Sequence, residues 1–171
     1  LWKQGITDWS GFLNRHDVRS IGRHKKKYYD RKIREAQRQL YRLNSRYFCD
    51  TLPRNEQWRL YDFFRDEAIY LDIEVDSVDS KGDVLVVGLF DGIETRTMVQ
   101  GLNLDFGVLF QELSKYKMIV TFNGSVFDLP FLKKRYPTCI PTIPQFDLRF
   151  AYKKIGIGGT LKDIEKQLHI K

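Results

Sequence analysis

Cysteine is nearly absent. Cys49 and Cys139 are the only two among 171 residues, and their spacing is not that of a metal-binding pair. A disulfide scaffold is therefore excluded, and the composition suits a reducing, cytoplasmic compartment. Long apolar runs are also missing. The longest, VLVVGLF at 84–90, falls far short of the roughly 20 residues needed to cross a bilayer, so no membrane association is expected. No basic-then-apolar leader opens the chain. It begins Leu-Trp without an initiator methionine, and the expectation is a fragment or a trimmed chain. Internal repeats and low-complexity tracts are absent, which argues against solenoids and disordered tails.

What is abundant is aromatic and basic. Hydrophobic residues make up 42% and aromatics 14%, enough to build the core of one domain with an appendage. The net charge of +7 is unevenly placed. Residues 1–66 hold 16 Lys and Arg against 8 Asp and Glu, whereas residues 67–171 hold 13 against 14. All the excess positive charge thus lies in the first third. Such asymmetry points to a polyanionic partner, most often nucleic acid; a solvated basic helix with no partner is the plain alternative.

Residues 5–13 read as a short helix start, with Thr7 or Asp8 as N-cap. Residues 23–48 read as one long helix, because Tyr29, Ile33, Ala36, Leu40, Leu43 and Tyr47 recur at spacings of four and three. Pro53 breaks the chain, and residues 54–64 predict a second helix with Trp58, Leu60, Tyr61 and Phe64 inward. After Asp66 the pattern changes. Strands are expected at 68–75, 82–92 and 94–100 as an antiparallel meander, and another at 117–123. Helices are expected at 105–116, 125–136, 145–155 and 160–168, the last capped by Thr160 with Asp163.

The first strand carries a chemical oddity. In YLDIEVDS, residues 70–77, Leu71, Ile73 and Val75 alternate with Asp72 and Glu74. A strand sends these two sets to opposite faces, and puts the two acids roughly 7 Å apart at their Cα atoms. Both carboxylates can then converge on a cation; the plain reading is the wet face of an amphipathic strand. Further on, TFNGSVFDLPFL (121–132) closes a strand with an Asn-Gly turn and opens a helix. Asp128 lies in its first turn, where the helix dipole favours negative charge.

These segments, in order, resemble a known family. YLDIEVDS, IVTFNGSVFDLPFLKKRY, FDLRFAYKK and GTLKDIEKQL are similar to successive motifs of the DnaQ-like (DEDD) exonucleases of the ribonuclease H-like superfamily. The chain most resembles the YprB-type ribonuclease H-like domain. The likeness covers residues 67–171 well and 1–13 loosely. It implies an α/β fold: a ribonuclease H-like mixed sheet of about five strands with flanking helices. A basic helical arm, residues 1–66, precedes a domain at 67–171. It implies a metal-dependent nuclease, a 3′–5′ exonuclease on DNA or RNA, using two Mg²⁺ or Mn²⁺ ions. Asp72, Glu74 and Asp128 match the family's catalytic and metal-binding acids. Asn123 and Phe127 match residues that shape the second motif and the substrate site. Asp147 matches a supporting aspartate. The family's third motif, Tyr-x-x-x-Asp or His-x-x-x-x-Asp, normally follows the last helix and carries the fourth acid. It is not found before Lys171, and Asp163, Glu165 and His169 do not fit it. The expectation is a domain truncated before that motif, with weak metal binding and little activity alone.

Other residues carry expectations too. Lys25, Lys26, Lys27, Arg31 and Arg38 in the arm, and Lys133 and Lys134 beside Asp128, are candidate contacts to a phosphate backbone, or simply solvated surface. Tyr28 and Tyr29 could stack a base. Trp2, Trp9 and Trp58 are expected to pack inside. His16 and His24 lack acidic or cysteine partners and are not expected to bind metal. The runner-up function is a non-catalytic nucleic-acid-binding module on a nuclease-like fold. A third reading uses the 29–47 stripe as an intermolecular seam, although a monomer is favoured.

Overall fold

Asp8 opens the first helix by capping it. Its carboxylate accepts the Gly11 N–H at 2.7 Å, starting α1 (Trp9–Leu13). The basic helix α2 spans Arg23–Tyr41 and ends well short of residue 48. Leu43 takes a left-handed φ of 54°, and Asn44 N–H turns back to the Gln39 carbonyl at 2.9 Å. A separate helix, α3, follows at Arg46–Thr51. The stripe expected to run continuously is therefore divided. Ile33 packs with Ile6, Phe12 and Val18, whereas Ala36, Leu40 and Tyr47 pack against Phe48, Leu60 and Phe64. Tyr29 and Leu43 remain exposed. Residues 54–64 are not one α-helix either: a 3₁₀ segment at Arg54–Leu60 leads into α4 (Tyr61–Phe64). The computed structural model describes residues 1–77 and 82–170.

The second part of the chain is α/β. In order it contains β1 (Ala68–Val75), β2 (Val84–Phe90), β3 (Thr95–Val99), α5 (Phe106–Leu113), β4 (Met118–Thr121), α6 (Asp128–Arg135), β5 (Gln145–Asp147), α7 (Leu148–Lys154) and α8 (Leu161–Gln167). The strands form one mixed sheet in the order β3-β2-β1-β4-β5. The first three make the expected antiparallel meander; β4 and β5 add in parallel. Residues 145–147 were expected to be helical. They form the fifth strand instead, because Gln145, Phe146 and Asp147 pair in register with Ile119, Val120 and Thr121. The Thr160–Asp163 capping box forms as expected.

Each face of the sheet is covered by a different part of the chain. Ile69, Leu71 and Ile73 face Leu109 and Leu113 of α5 and Leu129 and Leu132 of α6. Each such buried side chain contributes about 1.5–3 kcal/mol, which holds the two helices firmly on this side. The opposite face buries Ala68, Met118, Val120 and Phe146 under Phe48, Leu60 and Phe64. Asp72 and Glu74 share that second face by alternation, but lie beyond its apolar cover and are exposed. No helix among the described residues is long and apolar enough to cross a membrane.

Candidate metal centre

Because β1 and β4 are parallel, their C-terminal ends emerge on the same side of the sheet, where ligands of α/β proteins commonly bind. β1 brings Asp72 and Glu74 there. β4 is followed by a turn that sets Asp128 at the first position of α6. In that turn Asn123 adopts a left-handed φ of 64°. Gly124 lies so close to Thr121 that an added Cβ would meet its side chain at 2.5 Å. That close approach explains the Asn-Gly pair. Pro130 falls within the first turn of α6, where its missing N–H costs nothing.

Asp128 is buried, and its Oδ1 accepts the backbone N–H of Ile73 at 3.0 Å. One bond thus ties the second acidic motif to the middle of the first. Burial pushes the Asp128 carboxyl up to about 6, helped by the charges of Asp72 and Asp147 and opposed by backbone N–H donors. The Asp72 carboxyl is also raised, by partial burial first and by Glu74 second. The acids therefore feel one another. Among the described residues, however, no three His, Cys, Asp or Glu side chains stand close enough together to hold an ion as placed. The donor chemistry fits a hard divalent cation, which favours carboxylate oxygen. The mutual repulsion is what a cation would relieve.

Asp147 has a different task. As N-cap of α7 its carboxylate accepts from Arg149 N–H at 3.0 Å, and it also accepts from Asn123 N–H at 2.8 Å and Ser125 N–H at 3.0 Å. Ser125 Oγ donates to it at 2.5 Å. Four donors leave it little capacity for a metal, in keeping with a supporting role. Asn123 Oδ1 accepts from Arg149 at 2.6 Å, so its side chain braces the same turn. Phe127, the N-cap of α6, packs against the core and against Phe131.

The basic candidates separate. Lys25, Lys27, Arg31 and Arg38 are exposed on α2, although Arg38 pairs with Glu35 at 2.7 Å. Lys26 is buried. Its Nζ pairs with Asp30 at 2.6 Å and lies 4.7 Å from the centre of the Phe12 ring. This corrects its expected role: it cannot reach a phosphate without leaving that pocket. Lys134 is exposed, whereas Lys133 is half-buried, and burial and the neighbouring Arg54 lower its pKa. The tryptophans also depart from expectation, with Trp2 77%, Trp9 38% and Trp58 36% exposed. Nothing in the sequence pattern foretells the apolar cleft beside Asp147, lined by Trp58 and Phe150.

A model of the RNase H superfamily matches residues 69–171, more than half of the chain. The chain belongs to the RNase H superfamily. No curated protein matches it. Among solved structures it is similar to Brucella melitensis NrnC, at 20% identity over 63% of this chain and 55% of that one, with a TM-score of 0.47. Structures of NrnC with bound Mg²⁺ and bound to pGG also give 0.47. The Aedes aegypti Nibbler EXO domain is 14% identical over 57% of this chain and 50% of that domain, with a TM-score of 0.44. The match thus spans about half the length of these solved chains.

Proposed function

We propose that this RNase H-like chain is the nuclease domain of a metal-dependent exonuclease that shortens DNA or RNA from the 3′ end. The observation that supports it best is the Ile73–Asp128 bond. It brings Asp128 to the strand that bears Asp72 and Glu74, at the ends of two parallel strands. Asp72, Glu74 and Asp128 would hold Mg²⁺ or Mn²⁺, two ions in the full site. Such ions supply an activated water and stabilise the leaving oxygen of a phosphodiester. The chain's own part is to present carboxylates, to keep Asp128 fixed through Ile73, and to hold the 123–125 turn through Asp147. The exposed cations of residues 15–46 would retain the substrate backbone, as an arm before the domain at 67–171.

A second reading is a nucleic-acid-binding module without catalysis, favoured by the absence of a closed acid cluster among the described residues. Cleavage of 5′-labelled single- and double-stranded DNA and RNA with Mn²⁺ or Mg²⁺ decides between them. It should be run on the 171-residue chain and on any longer gene product that contains it. A metal-dependent ladder that disappears with Asp72→Ala supports the nuclease. Salt-dependent binding with no cutting in any of these leaves the binding module.

A further inference from the structure

A cleft of about 600 Å³ lies between the 3₁₀ segment 54–60, the 125–126 turn and α7. That size is within the range of ordinary ligand sites. Its walls are mostly apolar, and three of them stay open to solvent: Trp58 at 36%, Phe150 at 50% and Val126 at 60% exposure. Leaving large apolar side chains exposed in a concave site forgoes burial energy, and such patches commonly mark binding surfaces. Arg54, Lys153 and Lys154 also line the cleft, and none of them is in an ion pair among the described residues. Two cations already sit against the Trp58 ring, the Arg59 guanidinium at 4.6 Å and Lys154 Nζ at 4.8 Å from its centre, so a base stacking there takes the place of one of them. The acids nearby are already engaged: Glu56 with Arg59, and Asp147 with its four donors. Asp147, whose charge is felt by Asp128, and Ser125 also line the cleft.

Solvent-exposed aromatics beside cations that stand outside any ion pair among the described residues are complementary to a chain of flat bases and anionic phosphates. An apolar peptide would leave the three cations without a counter-charge. We propose that this cleft takes a nucleotide of single-stranded nucleic acid, its base against Trp58 and Phe150 and its phosphates on Arg54, Lys153 and Lys154. The strand thereby passes Ser125 toward Asp128. The proposal rests on the nuclease reading for its direction, but not for its binding chemistry.

The test uses the whole chain in chelator, so that nothing is cut. Trp2→Phe with Trp9→Phe leaves Trp58 as the sole indole. Short oligothymidylate and oligouridylate should quench its emission as they bind. Trp58→Ala should weaken binding about 5- to 100-fold, as loss of one stacked base does. Lys153→Ala with Lys154→Ala, both at exposed positions, should lower the salt dependence by about 0.7 for each phosphate no longer neutralised. Unchanged Trp58 emission on saturation, together with unchanged affinity in the lysine variant, overturns the cleft, as does no binding of either oligomer. A separate cleavage assay with Mn²⁺ keeps the two ideas apart. Cutting that persists with a silent Trp58 removes only the cleft. Quenching without any cutting removes only the nuclease.

Discussion

Asp128 and Ile73 lie 55 positions apart in sequence, yet the Ile73 backbone N–H donates to Asp128 Oδ1 at 3.0 Å in the buried interior. A carboxylate that holds the strand flanked by two other carboxylates is both a structural tie and a chemical group. The two roles can be separated by substitution.

Asp128→Asn keeps a carbonyl oxygen for Ile73 and removes the charge. Stability without metal should be unchanged or higher, while divalent-ion affinity and cleavage are lost. Asp128→Ala leaves a buried N–H unpaired and should cost about 1–3 kcal/mol. Chemical denaturation beside calorimetric titration with Mn²⁺ distinguishes the pair. Equal destabilisation by both variants would contradict the tie.

The raised Asp128 pKa sets a pH dependence. The folded chain holds this proton up to about pH 6, whereas the unfolded chain releases it near the ordinary aspartate value of 3.8. Between those values the folded state binds more protons, so stability in chelator should fall as pH rises from about 4 to about 6. Asp128→Asn should flatten most of that slope, with the remainder carried by Asp72, whose carboxyl is also raised. Divalent-ion affinity should rise over the same window, since the ion competes with the proton. Denaturation midpoints at about pH 4.5 and about pH 7, with and without metal, check both signs.

Asp147→Ala removes the acceptor for Asn123, Ser125 and Arg149 together. A loss of about 2–4 kcal/mol is expected, since hydrogen bonds to a charged group are worth more than neutral ones but do not add fully. Asp147→Asn should lose less. Metal affinity should fall only in proportion to the unfolded fraction, which titration at low temperature would show.

Lys26 and its neighbours should behave oppositely. Lys26→Ala strands the half-buried Asp30 and should cost about 2 kcal/mol or more, with little change in the salt slope of nucleic-acid binding. Lys25→Ala, Lys27→Ala and Arg31→Ala combined should leave stability alone. If the arm contacts phosphates, they should lower the salt slope by about 2 for single strands. Affinity measured across a salt series separates the two sets.

Much of the α/β half was legible because its signals are local. Period-two alternation placed β1 and put Asp72 and Glu74 on one face. The Thr160–Asp163 pair marked the start of α8, since a capping box forms between neighbours three residues apart. The break near Leu43 was hidden, because the spacing of apolar residues continues across it while the backbone turns left-handed at one residue. β5 was hidden because a three-residue strand has no period to read; its pairing with β4 alone defines it.

Residue type and spacing by themselves determined the meander, the basic first third and the placing of Asp72 and Glu74 on one strand face, whereas the class of fold and the match of Asp128 to a metal-site acid rested on the likeness of the ordered motifs to a family. Periodicity and capping are properties of adjacent residues, so they survive in one dimension. Only the tertiary structure decided that Lys26 is spent on Asp30 and Phe12, that Asp147 is a brace, and that Trp58 lines an open cleft. Those outcomes depend on burial and on partners far apart in the chain. The free energy of a charge or an aromatic ring is set by what surrounds it in space, not by its neighbours in sequence.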